Sequence, residues 1–412
     1  MFFEGYDDAR TQGMIGGGRF SAVYRLEAGD EQTARSMAED ICVEQTVEFP
    51  FSLLPPGAVP RELTGRVEAI EKIEKNEKEH GGRYLAVISF ADEIASGEFT
   101  QFLNVIFGNI SIKRGIQLAG IRPDRAIFEF LPGPRFGVSG IREIVGVPDR
   151  PLLFSALKPM GLSAADMARL AGQFAEGGID IVKDDHGLTN QVFAPFEERV
   201  SRCVDAVRTA NAKSGRRSIY VPNVTAPSGQ VLERALRARE LGAGGVLVTP
   251  GLVGLDTMRA LAGPEIDLPV FAHPAFIGSY AVNPQGIAPH VLFGTLMRLA
   301  GADVSIFPNY GGRFPLSREE CLATARAGRE EPGPLRPIFP APAGGMELAN
   351  VEEIIRSYGG DLLVLIGGGL FRGGTDIVLN CRRFLSEVER GFSLLQAKTN
   401  GRRACPSSCR CP

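Results

Sequence analysis

"IDIVKDDHG" (179–187) decides how this chain is read. Residues 179–183 form a short β-branched run of the kind that makes a strand. Lys183, Asp184, Asp185 and His186 follow at once, and Gly187 ends the run. A strand finishing in four polar or ionisable residues is poorly suited to packing alone. Either a loop here happens to be charged, or the strand delivers groups to a site. Similar apolar runs recur at "PLLFSAL" (151–157), "SIYVPN" (218–223), "GGVLVTP" (244–250), "LPVFAHP" (268–274), "DVSIFP" (303–308), "RPIFPAP" (336–342) and "DLLVLIGGG" (361–369). Amphipathic helical patterns separate them, such as "AADMARLAGQFAEGG" (164–178), "VLERALRARELGA" (231–243) and "DIVLNCRRFLSEVERG" (376–391). Near-continuous apolar strands alternating with helices imply a parallel sheet covered by helices. Eight such units in about 240 residues match the size of a (β/α)₈ TIM barrel. A doubly wound open sheet is the alternative, but no GxGxxG follows the first strand.

Ahead of this repeat the pattern differs. "RFSAVYRLEA" (19–28) alternates like a strand, and "DEQTARSMAEDICVEQT" (30–46) has helical spacing. "LTGRVEAIEKIE" (63–74) and "RYLAVISFA" (83–91) read as strands around a polar "KNEKEHGG" turn (75–82). "ASGEFTQFLNVIFGN" (95–109) reads as a helix stopping at Gly108–Asn109, and "FLPGPRFGVSGIREIVG" (130–146) as a Pro/Gly-rich passage out of the domain. The expectation is an α/β chain: an N-terminal α+β ferredoxin-like domain over 1–149, a barrel carrying the active site over 150–395, and a disordered tail over 396–412.

The 412 residues are 44% hydrophobic and 23% charged, with a formal net charge of −3. That is globular composition, with no basic block for nucleic acid or an anionic membrane. The opening "MFFEGYDDAR" has no apolar signal region, and no window of about 18 apolar residues suggests a span. A cytoplasmic protein with reduced Cys42, Cys203, Cys321 and Cys381 is expected. Cys405, Cys409 and Cys411 in the tail are one ligand short of a closed zinc site.

In such barrels the active site lies at the C-terminal ends of the strands. Those ends carry Lys158, then Lys183, Asp185 and His186, then Asn223, His273, Gly344 and Gly345, and finally Gly367, Gly368 and Gly369. Lys183 and Asp185 share a strand face. Asp185 and His186 are ordinary metal ligands, but an ammonium has no lone pair to give. Lys183 is therefore an ion-pair partner of Asp185, or a ligand after conversion to a carbamate, an oxygen donor of the kind Mg²⁺ prefers. A surface Lys–Asp pair capping the strand is the plainer alternative. Lys158 in "SALKPMGLS" (155–163) reads as a lysine buried in an apolar strand, suited to proton transfer, or as a snorkelling rim residue. "APAGGM" (341–346) and "LIGGGLFRGG" (365–374) suit phosphate binding by bare backbone N–H groups after strands seven and eight. His273 is either a satisfied core residue or a group at the mouth. His80 and His290 read as a turn residue and a helix-start residue.

Taken together, "LKPMGLS", "GGIDIVKDD", "PNVTA", "FAHP", "AGG" and "GGG", in this order, resemble the large subunit of ribulose-bisphosphate carboxylase, and more closely its RuBisCO-like (form IV) relatives. "CVEQT", "FGN" and "LPGPRFG" extend the likeness over nearly the whole chain. The resemblance implies a homodimer with a shared active site, Mg²⁺ on a carbamylated lysine, and enolisation of a phosphorylated ketose. It assigns Lys183 to the carbamylated lysine, Asp185 to a metal ligand, and Lys158 to proton handling. It assigns Glu44 and Asn109 to the residues donated across the dimer, His273 to the strand-five histidine, and Gly344, Gly345, Gly368 and Gly369 to one phosphate site.

The departures matter as much. His186 stands where carboxylases have the third ligand, Glu, and imidazole suits Mg²⁺ less well. Pro274 stands where an arginine holds a second phosphate, and Ala343 replaces a substrate-binding serine. "KPMGLS" is one residue short and lacks the second lysine. "NYGGRFPLS" (309–317) lacks the lid lysine, leaving Arg313 as its cation. Each lost charge-assisted contact is worth roughly 1.5–3 kcal/mol in a buried site. The expectation is an enzyme without CO₂ fixation that makes a metal-stabilised enediolate from a monophosphorylated keto sugar acid. The first reading is a 3-oxo-isoapionate 4-phosphate decarboxylase or transcarboxylase/hydrolase. The second is a methionine-salvage-type enolase or isomerase acting on a methylthio-pentulose or diketo phosphate, with Phe276, Phe307 and Phe314 available for a thioether. The third is a non-catalytic stress or regulatory barrel.

Overall fold

The computed structural model describes residues 17–53, 61–76, 81–330 and 333–403. The expectations for His80 and for Cys405, Cys409 and Cys411 lie outside them. The chain divides into two compact units, one of residues 1–132, 277–299 and 331–335, the other of 133–276, 300–330 and 336–412.

The first unit is built on an antiparallel sheet of β1 (Arg19–Ala28), β2 (Arg66–Asn76), β3 (Gly81–Ala91) and β4 (Ile116–Arg122), in the order β2-β3-β1-β4. With helices Glu31–Glu44 and Phe99–Phe107 between strands, this is the βαββαβ ferredoxin-like arrangement. Phe20, Ala22, Tyr24 and Leu26 are buried at every second position of β1, as a half-buried strand requires. Helix Glu31–Glu44 starts where Asp30 accepts from the Thr33 N–H and buries Ala34, Ala38 and Ile41 on one stripe. Strand β4, "IQLAGIR", goes beyond the sequence expectation; its signal is a short apolar run without strict alternation.

The second unit is the parallel barrel. Its strands are β5 (Leu152–Ala156), β6 (Ile181–Lys183), β7 (Ile219–Val221), β8 (Val246–Val248), β9 (Val270–Ala272), β10 (Val304–Pro308), β11 (Phe339–Ala343) and β12 (Leu363–Ile366), each inside an expected run except that β11 ends one residue past its run. The order β7-β6-β5-β12-β11-β10-β9-β8 closes where Leu247 N–H donates to Pro222 O (2.8 Å) and Val224 N–H to Leu247 O (2.9 Å). The interior is filled by Leu152, Phe154, Ile181, Val221, Leu247, Phe271, Val304, Ile306, Phe339, Ala341, Leu363 and Leu365. Val138, Ile141 and Val145 join this core.

Those last three correct the reading of 130–146 as a plain passage. Gly137–Val145 is a helix, and its apolar stripe makes it part of the barrel, so the units divide at Pro132/Gly133. Arg142 fixes it with hydrogen bonds to the carbonyls of Val147, Arg150 and Gly360 and to the Asp361 carboxylate. The last helix, Ile377–Arg403, runs past residue 395, so 396–403 are helical rather than tail. Cys42, Cys203, Cys321 and Cys381 are buried free thiols, and no helix among the described residues is long and apolar enough to cross a membrane.

Candidate active site

Strand parity decides which side chains enter the barrel. Phe154, Ile181, Val221, Leu247 and Phe271 point inward. Two residues further along each strand, the same face brings Ala156, Lys183, Asn223, Thr249 and His273 to the C-terminal mouth, and two further again, Lys158 and Asp185. Asp184 has the opposite parity.

The outward Asp184 is structural. Its carboxylate accepts from Arg199 Nε and Nη2 (3.2 and 3.1 Å), Tyr220 Oη (2.5 Å) and the Asn223 N–H (2.9 Å). Arg199 also binds the carbonyls of Ala194 and Thr189 at 2.6 and 2.7 Å. Both charged side chains are fully buried. This cluster fixes the loop that carries Asp185 and His186, and Asn223 Nδ2 adds a bond to the His186 carbonyl (2.8 Å).

Facing inward, Lys158 Nζ donates to Asp185 Oδ2 at 2.6 Å, and His186 Nδ1 lies 3.3 Å from Oδ1. Burial works to raise the Asp185 pKa, but the contacts from His186 and Lys158 and the charge of Lys183 outweigh it. The carboxyl is held well below the usual carboxylate range. Lys183 is 2% exposed; its Nζ donates to Asp184 O (3.0 Å) and lies 5.8 Å from the Phe154 ring centroid. Burial, helped by the charge of Lys158 against the opposing pull of Asp185, lowers Lys183 from 10.5 to about 8. Of the two readings of Lys158 the structure gives the rim residue and not the buried one: its side chain is 39% exposed, because the chain has left the strand there, and Lys183 is the desolvated lysine.

The His273 and His186 rings stack with centroids 4.4 Å apart and planes 8° from parallel. Burial and the nearby Lys183 and His186 push the His273 pKa well below the usual histidine value. Its Nδ1 accepts from the Ala275 N–H (3.2 Å), so the neutral ring carries its hydrogen on Nε2. Thr249 is a site candidate that sequence reasoning missed. It is 1% exposed and its Oγ1 has no hydrogen-bond partner. Its only signal is inward parity at the end of "VLVTP".

The glycine loops follow the adjacent strands β11 and β12. Gly344 and Gly345 have φ of +98° and +70°. A Cβ on Gly345 would stand 3.2 Å from Gly312 Cα, whereas one on Gly368 would meet nothing within 4 Å, so backbone is open to a ligand there. Arg313, on the exposed loop after β10, stacks its guanidinium 4.9 Å from the Phe314 ring centroid, and Phe314 packs against Gly344. Phe276 is 77% exposed after β9. Phe307 faces outward, buried against Tyr358, and does not line the mouth. In the first unit, Asn109 Nδ2 donates to Glu44 Oε1 (3.2 Å), and Lys113 Nζ holds Glu44 Oε2 (3.2 Å).

Among the described residues no three carboxylate, imidazole or thiolate groups converge on a cation site. Asp185 and His186 become a three-donor set only with Lys183 as carbamate. A buried amine brought to about 8 is suited to that conversion, so the residues fit a divalent cation on this condition.

Residues 137–307 match the family model of the ribulose bisphosphate carboxylase large chain, catalytic domain. The chain is 38% identical over 370 residues to ribulose bisphosphate carboxylase-like protein 1 of Rhodopseudomonas palustris (90% of this chain, 97% of the relative). It is 38% identical over 373 residues to the 5-methylthioribulose-1-phosphate isomerase of Rhodospirillum rubrum (90% and 96%). It is 36% identical over 406 residues to the 2,3-diketo-5-methylthiopentyl-1-phosphate enolase of Geobacillus kaustophilus (91% and 96%). The crystal structure of a RuBisCO-like protein from R. palustris superposes with a TM-score of 0.80 at 39% identity, covering 90% of this chain and 97% of that one. This chain belongs to the ribulose-bisphosphate carboxylase large-subunit family, among its RuBisCO-like enzymes.

Proposed function

We propose that the protein isomerises a methylthio-pentulose phosphate of the 5-methylthioribulose 1-phosphate kind, through an enediolate. Two relatives at 38% and 36% identity are named a 5-methylthioribulose-1-phosphate isomerase and a 2,3-diketo-5-methylthiopentyl-1-phosphate enolase, whereas similar structures named carboxylase/oxygenase share only 22–25% identity. Weight therefore moves from the 3-oxo-isoapionate expectation to the methionine-salvage one, and from the non-catalytic barrel to an enzyme.

The observation that carries the reading is the order of groups around the barrel. The glycine loops end β11 and β12; Lys158 and Asp185 follow the next strands, β5 and β6. A phosphate on Gly344, Gly345, Gly368 and Gly369 sets the neighbouring keto carbon beside the Lys158–Asp185 pair. Across the mouth, the loops after β9 and β10 offer Pro274, Phe276 and Phe314 to the far end of the substrate, with Arg313 the cation of that loop. A thioether suits such a rim and a second phosphate does not.

The proton is removed from the carbon beside the keto group, whose electron pair moves onto the keto oxygen. A proton exchanged with solvent then adds to the former carbonyl carbon, while the hydroxyl proton of the neighbouring carbon passes to the former keto oxygen, which leaves the carbonyl one carbon along and no atom gained or lost. Lys158, held by Asp185, carries the proton. His273 donates from Nε2 to a substrate oxygen, and the Thr249 hydroxyl supplies a further donor. Mg²⁺ held by carbamylated Lys183, Asp185 and His186 would stabilise the enediolate oxygens. By the family pattern, Glu44 and Asn109 complete the mouth of a second copy in a homodimer.

The test is ³¹P and ¹H NMR of the purified protein with Mg²⁺ and 5-methylthioribulose 1-phosphate in D₂O. The expected result is a new ketose phosphate carrying carbon-bound deuterium, abolished by Lys158→Ala. Turnover of the 2,3-diketone alone makes the protein an enolase. Release of CO₂ from a phosphorylated branched β-keto acid, with the thio-sugar untouched, overturns the proposal.

A further inference from the structure

Among the described residues, Glu48 (+50°), Ser96 (+54°), Asp267 (+49°) and Phe276 (+70°) have positive φ without being glycine. The first three are polar residues, and Phe276 is the aromatic one. A bulky side chain in left-handed backbone is a strained exception, kept only where something else requires it. Packing of the ring would be an ordinary reason. The Phe276 ring is not packed, since the residue is 77% exposed. It combines a backbone cost with an apolar surface left to water, and neither is offset within the free chain.

The loop that carries this ring is tied to the site. Strand β9 ends at Ala272, and His273 Nδ1 accepts from the Ala275 N–H (3.2 Å). The hydrogen bond that fixes the His273 tautomer thereby sets the backbone one residue before Phe276. The other aromatic residues expected at the mouth have partners already. Phe314 lies under the Arg313 guanidinium and against Gly344, and Phe307 is buried against Tyr358.

We propose that Phe276 is the specificity-determining residue of the site: its ring covers the methylthio end of the bound sugar phosphate and disfavours sugars that carry a hydroxyl there. This rests on the isomerase reading above. A thioether gains contact with an aromatic ring, with sulfur about 5 Å from it. A hydroxyl in the same place loses its water and finds no partner on the ring. Strain and exposure belong to the free protein, and binding of the thioether covers the exposed ring. The cost of holding Phe276 in place before substrate arrives is then offset only by the sugar that fits it.

Steady-state kinetics with 5-methylthioribulose 1-phosphate and ribulose 1-phosphate, together with thermal unfolding, test this on the wild type, Phe276→Gly and Phe276→Tyr. Glycine suits left-handed backbone, so Phe276→Gly should unfold at the wild-type temperature or above it. Its preference for the thio-sugar, as the ratio of the two kcat/KM values, should fall at least about tenfold, through a higher KM for the thio-sugar. Phe276→Tyr keeps the ring and should keep the preference. A Phe276→Gly chain that retains the wild-type ratio, loses both sugars equally, or unfolds well below the wild type overturns the proposal and leaves the isomerase reading standing. So does a wild type that turns over both sugars without preference. A wild type that turns over neither sugar refutes the isomerase reading itself, and the proposal with it.

Discussion

Replacing Arg199 by methionine tests the claim that the charged loop is held from outside the barrel. The guanidinium and the Asp184 carboxylate are both 0% exposed. After the change, Asp184 keeps the Tyr220 hydroxyl and the Asn223 N–H but has no cation, and the Ala194 and Thr189 carbonyls each lose a donor. Breaking a buried pair by removing one partner costs about 3–5 kcal/mol, because a charge stays buried without compensation. That is a large share of a typical stability of about 5–15 kcal/mol, and about 4 kcal/mol lowers the folded-to-unfolded ratio by roughly a thousandfold. Urea unfolding followed by circular dichroism measures it. The double change Arg199→Met with Asp184→Asn removes both charges while leaving an amide oxygen for Tyr220 or Asn223. It should cost less than the single Arg199 change. A single-variant cost below about 1 kcal/mol, or a double variant equal to the sum of the two singles, refutes the reasoning.

Lys183, brought to about 8, is mainly protonated below that pH and neutral above it, so CO₂ capture on Nζ should rise as pH passes through 8. ¹³C NMR with labelled bicarbonate reads this; a carbamate signal rising only near pH 10.5, or persisting in Lys183→Ala, contradicts it. Asp303 accepts from the N–H groups of Phe136 (2.8 Å) and Gly137 (2.6 Å) through Oδ1 and of Val270 (2.8 Å) through Oδ2. Asp303→Asn turns one of these acceptors into a donor and should cost about 1–3 kcal/mol in urea unfolding. Gly344→Ala at φ +98° forces a side chain into left-handed backbone, a strain of about 1–3 kcal/mol, and should weaken inorganic phosphate binding by calorimetry more than it changes the melting temperature.

The barrel was legible because its strands are buried on both faces and read as continuous apolar runs between helical patterns. Helix Gly137–Val145 was hidden by its composition. "PGPRFG" carries the breakers of a loop, and only the spacing of Val138, Ile141 and Val145 shows a buried stripe. Strand β4 was hidden for a related reason: residues 116–118 are all buried, so neither alternation nor helical period is present. In the site, the face shared by Lys183 and Asp185 could be read from the two-residue period of a strand. The exposure of Lys158 stayed open between its two readings, since parity says which way a residue points and nothing of where the barrel wall stops.

The paired aspartates show how far that period reaches. Asp184 and Asp185 are the same residue type at adjacent positions, and composition treats them alike. Opposite parity sends Asp184 into the layer between strands and helices, where the only stable state for a carboxylate is full pairing. Arg199, at the start of the next helix, comes within reach because that helix folds back over β6 and β7. It sends Asp185 to the mouth, where its two oxygens meet groups that move protons or bind a cation, Lys158 and His186. One aspartate therefore fixes the loop and the other works from it. Exchanging the two roles would need a one-residue register shift in β6, which would also turn Ile181 and Lys183 out of the barrel. The strand that fills the core is thus the same device that aims the site.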